Sequence, residues 1–565
     1  MARARVRAGA KEGRSALRPA RTRWFSSPAR TRWSIAIAIF AAIIAAGAAG
    51  WRFGRVPAAR LIAQRHLSRA ERMLATGDDP RAASELVLAL EAAPLQPPAQ
   101  RLLGELHLRG HQLEQAFLEL QSYADAFPDD AEGWSDLAGV RMQAAQPEQA
   151  EAAITNAVEL APERTDLRLR RSALRLQIGR YHGAVLDAQA VLRQDTGSAE
   201  AQAVLARAEA HLDAAKCGPA SVPPSAAEAA AWPNRLGELV RDFLAATHRK
   251  DWSEAGILVS RARSDYPHTM LGPWLDGVSS QNFGDLEHAE RSLLEALLVS
   301  PRSHRPITSL AALWARQQGP AHAADQLLAM VDDDPGFAYP LQIAAAAYLE
   351  EAQPAKAEAT VRRMFQVLPA SPVPFREVAR FLLRLDRPSD AMVTATQGLA
   401  RFQADSELLH AQARGYFMLG AREAALSWWE AALAARPDDQ VAAAQLARLL
   451  ISARRDDPPS RQRALALVRD LECDAPTDPD VLGAMGLVLL QAADDAPGAR
   501  LWLEAAKDRA PDSPQLRYQL ALAYARAADA ASARRELQEA LKFAGTFDEE
   551  PDARRLLHDL ESKQP

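Results

Sequence analysis

From about residue 63 to residue 545 the apolar positions recur at spacings of three and four, the interval that lines one face of an α-helix. In 131–164, Trp134, Leu137 and Ala138 share one such face, and Ala150, Ile154 and Ala157 share a second. In 406–439 the same slots hold Leu409, Ala413 and Tyr416, then Ala425, Trp429 and Ala432. In 514–545 they hold Leu520, Ala521 and Tyr524, then Ala533, Leu537 and Ala540. The pattern predicts two amphipathic helices per segment, each burying one stripe. Strict alternation of apolar and polar residues is scarce, so the predicted class is all-α.

Prolines set the interval. Pro94, Pro128 and Pro162 lie 34 apart, and so do Pro233, Pro267, Pro301, Pro335 and Pro369; Pro437 follows two periods later, then Pro476 and Pro511. Each proline cannot continue a helix and stops the second one of its segment. Gly77-Asp78, Gly179-Arg180-Tyr181 and Gly284-Asp285 supply tight turns between the paired helices. Small residues at two slots let the paired backbones approach.

A helix pair repeated every 34 residues resembles the tetratricopeptide repeat family, over about residues 63–545. About fourteen units start near 63, 97, 131, 165, 199, 236, 270, 304, 338, 372, 406, 440, 479 and 514. The resemblance implies an α-solenoid, a right-handed superhelix of helix hairpins whose first helices line a concave groove. Three units depart from the pattern. Residues 214–233 carry Gly218, Pro219, Pro223, Pro224 and Pro233 and read as a degenerate repeat or hinge. This divides the repeats into an N-terminal array, 57–213, and a C-terminal array, 234–545. The twelfth unit has extra residues around Arg454–Ser460. The thirteenth has Gly498 where Ala is usual, with Ala499 one place late. Residues 546–565 are expected to hold a capping helix, about Glu550 to Ser562, and a tail.

Trp33 to Trp51 is a 19-residue stretch without a charge, closed by Arg32 and Arg52. It has the length of a transmembrane helix, which needs about 20 residues, with tryptophans at both interfaces. A cleaved signal peptide is the alternative, since Ala46-Gly47-Ala48 offers small residues for cleavage. Residues 1–32 read as a basic, disordered cytoplasmic tail. The expected placement is a bacterial inner membrane, single-pass, with the C-terminal body in the periplasm.

Charge sharpens this picture. Residues 1–33 hold ten Lys or Arg against Glu12 alone, while the whole chain has a formal net charge of −5, so the body is acidic. That argues against a nucleic-acid partner. The two cysteines, Cys217 and Cys473, read as buried or free thiols, and two exclude a disulfide framework. The run Asp332-Asp333-Asp334 lacks the alternating ligands of a calcium loop and reads as a solvated turn. The sequence has no phosphate loop, no GxSxG elbow and no HExxH, its twelve histidines are scattered, and no cofactor is expected.

Without a catalytic constellation, the expected function is a non-enzymatic scaffold that recruits other proteins, with envelope or polysaccharide-export assembly proteins as candidates by fold-level analogy. A carbohydrate- or peptidoglycan-binding module is the alternative, with Trp428 as a candidate platform and Trp429 on a packing slot. The resemblance implies that positions 2, 5, 9, 12 and 13 of each first helix line the groove. Those slots hold Arg376, Arg380 and Arg384 in the tenth unit, His410 and Arg414 in the eleventh, and Arg448 in the twelfth. A basic patch in an acidic body suits carboxylates, because the guanidinium fork donates paired hydrogen bonds. An acidic segment or the C-terminus of another protein is therefore the expected partner.

Overall fold

The computed structural model describes residues 59–214, 234–454, 457–474, 476–543, 547 and 549–562. Every regular element among them is helical, from the helix over 59–75 to the final helix Glu550–Ser562. Successive helices pack as antiparallel neighbours: Ala131–Gln143 against Pro147–Leu160, Leu271–Phe283 against Leu286–Val299, Ser406–Met418 against Arg422–Ala435. Ala150, Ile154, Ala157, Leu409, Ala413 and Trp429 are all buried, as their spacing predicts.

The tightest crossings fall where the sequence places its smallest residues. A Cβ on Gly277 would lie 2.6 Å from Leu293 Cγ and 3.1 Å from the Ala289 carbonyl oxygen. A Cβ on Gly486 would lie 2.6 Å from Leu503 Cγ and 3.0 Å from the Ala499 oxygen. One side chain of the second helix thus fills the hollow left by the first.

The turn inside each pair has one recurrent geometry. Gly77, His111, Ala145, Gly179, Lys250, Gly284, Ala352, Asp386, Gly420 and Ala528 all have positive φ. In each case the next amide closes a long bond back onto the first helix, as in Gln146 N to Arg141 O at 2.8 Å and Gln353 N to Tyr348 O at 2.8 Å. This is the left-handed C-terminal cap that satisfies otherwise orphaned carbonyls. Asp251, Asp285 and Asp529 then cap the second helix, accepting from the backbone N–H three residues on. Several second helices leave one residue before a proline: Ala93, before Pro94, is extended at φ −147° and ψ 96°. In the thirteenth unit the first helix ends in a π-turn, Leu489–Ala493, with Asp494 at φ 54°. That turn absorbs the residue that displaces Ala499.

The helices before and after 215–233 do not form one open row. Asn234–Arg249 packs against Leu113–Ala126, and Leu239, Val240 and Phe243 share a buried cluster with Phe117, Leu137 and Ile154. Further along, loops that follow second helices in the later stretch meet the earlier one. Arg302 Nη1 donates to the Ala126 carbonyl at 3.3 Å, and His304 N donates to Asp125 at 3.1 Å. Arg175 Nη2 donates to Asp438 at 2.7 Å, and Gly183 N donates to Asp474 at 3.0 Å. A seam therefore joins the two stretches. Its best-buried part holds Arg171 and Arg175 on Asp187, with Glu151 also on Arg175 at 2.8 Å.

Two expectations are corrected. Residues 1–32 and the span 33–51 lie outside the described residues, and among those described no helix is long and apolar enough to cross a membrane. A 14-residue helix such as Asp79–Ala92 is about 21 Å long, short of the roughly 30 Å hydrocarbon core. This finding overturns the inner-membrane, single-pass placement with a periplasmic body. At Cys473 the expected thiol is instead disulfide-bonded; Cys217 lies outside the described residues. In the run Asp332-Asp333-Asp334, Asp332 and Asp333 are exposed and Asp334 is half-buried. Asp334 accepts two bonds from Arg302 at 2.6 Å each, and Asp332 pairs with Arg363 at 2.7 Å.

Candidate functional site

The first helices Ser406–Met418, Gln440–Ala453, Pro479–Val488 and Pro514–Arg526 follow one another in space and enclose a cleft of about 490 Å³. Arg414 and Arg448 line it, with Phe417, Met418 and His410 beside them and Gln519 at its far wall. The Arg448 guanidinium lies 5.7 Å from the Phe417 ring centroid, within cation–π range. Burial holds that guanidinium below its ordinary pKa; Asp480 and Glu549 act against the shift, and Arg414 adds to it. Arg448 makes no ion pair among the described residues. Phe417 is 43% exposed and Met418 41%, an apolar edge beside two cations. Gln519 is buried, and its Oε1 has no hydrogen-bond partner among the described residues. Such an atom costs about 1–3 kcal/mol unless something donates to it.

The six candidate side chains meet different fates. Arg414 and Arg448 come together in the cleft, with Arg414 exposed and Arg448 half-buried. Arg380 is exposed and pairs with Glu377 at 3.0 Å and Glu407 at 3.5 Å. Arg384 is exposed and does not line the cleft. Arg376 turns to the seam, where Asp405 accepts from it at 2.7 Å and Glu159 lies 3.8 Å away. His410 is buried, with Nε2 2.8 Å from Asp439 and 3.3 Å from Ser406 Oγ. Asp439 also accepts from Arg436 at 2.9 Å. Burial alone would raise the Asp439 carboxyl, but the His410 hydrogen bond and Arg436 hold it well below the usual range.

Reading only charged occupants of the groove slots misses Phe417 and Met418, although both stand at slots 12 and 13 of their helix. Gln519 carried no signal, because it stands at position 6 of its unit, outside the five slots counted. Trp429 is buried among packing residues, and Trp428 is half-buried and stacked on Tyr416, so neither forms an open platform. Among the described residues no group of three or more His, Cys, Asp or Glu converges as a metal site.

No family model matches the sequence, and no curated protein does. Solved structures do. The protein is similar to the Cut9–Hcn1 hetero-tetramer of the APC/C, with 13% identity over 90% of this chain and 99% of that one, at a TM-score of 0.36. It is similar to yeast Tom70, with 15% identity over 83% and 96% of the two chains and a TM-score of 0.28. A tetratricopeptide repeat protein from Parabacteroides merdae matches 44% of this chain and 95% of its own, with 17% identity and a TM-score of 0.32. The repeat is also visible in the protein itself: paired antiparallel helices, a left-handed turn in one recurrent position, stopping prolines that recur at 34 residues in two runs, and small residues where the helices cross. That architecture is the all-helical arrangement of stacked hairpins that the sequence resemblance implies.

Proposed function

We propose that this protein is a non-enzymatic scaffold of about fourteen helix hairpins in a right-handed superhelix, and that it binds an extended acidic segment of a partner protein in the cleft beside Arg448. The carrying observation is the state of Arg448: partly desolvated, without an ion pair among the described residues, and flanked by the exposed apolar side chains Phe417 and Met418. A carboxylate arriving there gains a charge-assisted hydrogen bond from a pre-oriented fork. An apolar side chain two positions away along an extended segment covers Phe417 and Met418. The division at 57–213 and 234–545, with 214–233 between and Glu550–Ser562 as a cap, belongs to this reading.

The test is an array of ten-residue peptides that vary acidic, neutral and basic composition around a Leu or Phe. The wild-type protein is expected to retain the acidic members, and Arg448→Glu to lose them at unchanged helicity. Equal retention of neutral and basic peptides, or unchanged binding by Arg448→Glu, rejects the reading.

A further inference from the structure

The cleft of Arg414 and Arg448 is lined by six charged or ionisable side chains, three of which already have partners. His410 meets Asp439 at 2.8 Å, Glu407 lies 3.5 Å from Arg380, and Asp478 accepts from the backbone N–H groups of Asp480 and Val481 at 2.8 and 3.1 Å. Arg414, Arg448 and Asp480 have neither an ion pair nor a side-chain hydrogen bond among the described residues. Asp480 is exposed, and its charge acts on Arg448 without pairing with it. These three stand on consecutive first helices that run in one direction, each separated from the next by an antiparallel partner. Asp480 is the second residue of its helix, Arg414 and Arg448 are each the ninth of theirs, and Phe417 and Met418 are the twelfth and thirteenth. Along the helices the cleft therefore presents an acid, then cations, then an apolar edge.

We propose that the segment bound in this cleft carries a basic residue as well as its carboxylate, and that Asp480 receives the base. The inference rests on the cleft being a site for an acidic segment, and it adds the second charge and the register. Seven positions along a helix span about 10 Å, and an extended chain covers that distance in about three residues. The three or four positions from the cations to the apolar edge span about 5 Å, or about two residues. The fitting segment thus has a base three residues from its acid and an apolar residue two positions away on the other side. Asp478 reinforces the acidic end, because only neutral amides meet its carboxylate. Charges at the rim of an interface govern specificity more than raw affinity, so Asp480 acts on the ranking of peptides. As a first-turn acid Asp480 also suits the dipole of its own helix, but that role is indifferent to the sequence of a bound peptide.

The experiment measures fluorescence anisotropy of the full-length protein with labelled ten-residue peptides. Each carries a Leu, a Glu two residues later and, three residues after that, Lys, Gln or Glu; each is also made in the reverse order. In the tighter-binding order, the wild-type protein is expected to hold the Lys member about fivefold more tightly than the Glu member at low salt, the scale of one exposed ion pair. Asp480→Lys is expected to invert that ranking and Asp480→Asn to flatten it. The second variant keeps the side chain's shape, so it decides the question if the first does not fold. Equal wild-type affinities for the Lys, Gln and Glu members, or a ranking that Asp480→Asn leaves unchanged, overturn the proposal and leave the carboxylate site standing. Failure of every acid-bearing peptide to bind overturns both. A changed melting temperature with an unchanged ranking assigns Asp480 to its helix alone and overturns the proposal as well.

Discussion

Arg175 Nη2 donates to Asp438 Oδ2 at 2.7 Å although 263 positions separate the two residues. The same guanidinium reaches Glu151 and Asp187, so all three of its nitrogens are engaged inside a nearly dry cluster. Arg171 lies on the same two aspartates. This cluster is the firmest part of the seam, and it joins the helices on either side of residues 215–233.

Removing one member leaves buried charge without its counterpart. Asp438→Ala is expected to destabilise the folded protein by about 3–5 kcal/mol. Denaturant unfolding measures the loss, and hydrogen exchange should place it at Thr165–Gln177 and Tyr181–Gln194. A change below about 1 kcal/mol would show that the pair is dispensable.

The seam carries a pH signature. Burial alone would raise the carboxyls of Asp438 and Asp439; Arg171, Arg175 and Arg436 outweigh it at the first, and His410 and Arg436 at the second, so both titrate well below 3.8. A depressed folded pKa means that the unfolded polypeptide binds the protons more readily. The stabilisation is then complete above about pH 4 and is lost as pH falls below it. Asp125 works the other way: its burial raises its pKa, with His304 opposing, so protonation eases its cost. Seam amides are expected to keep one level of protection from pH 7 to 5 and to lose it progressively as pH falls below about 4. Undiminished protection at pH 2.5 would contradict the assignment.

Left-handed turns held by alanine store avoidable strain. An L residue in that region costs roughly 1–2 kcal/mol more than glycine, part of which glycine returns through its freer unfolded state. Ala145→Gly and Ala528→Gly, at φ 56° and 60°, are each expected to stabilise by about 0.5–1 kcal/mol. Thermal unfolding of the single and double variants checks the sign, and a lower melting temperature in either one refutes it.

The helix crossings are intolerant of bulk. Gly277→Val puts carbon 2.6 Å from Leu293 Cγ and close to a backbone oxygen that cannot rotate away. Overpacking of this kind costs about 1–3 kcal/mol or more. Gly256, where an added Cβ meets nothing within 4 Å, is the control: Gly256→Ala in the helix Trp252–Asp265 should stabilise slightly. Equal effects at the two sites would argue against the packing account.

Much of the fold is legible in the sequence because its information is local. Ile154 and Trp429 are buried because period-3.6 stripes need only their own helix and the next one to define a core. Pro94 stops a helix whatever surrounds it. The turns were read from Gly77, Gly179 and Gly284, while Ala145, Lys250 and Ala528 adopt the same left-handed geometry without any residue that announces it. There the packing of two helices imposes a conformation that local preference disfavours.

The groove divides along the same line. Slot counting along the first helices found Arg414 and Arg448, which share a cleft because equal slots on neighbouring repeats stack. It also picked out Arg376 and His410, which in the tertiary structure lie against Glu159, Asp405 and Asp439. The sequence by itself determined paired helices, their interval, their stripes and the positions of their stops, because each depends on residues within about 34 positions. Only the tertiary structure decided which groove cations are already paired, because those acids arrive from helices up to 277 positions away, and no periodic pattern encodes a contact between stretches that curve back on each other.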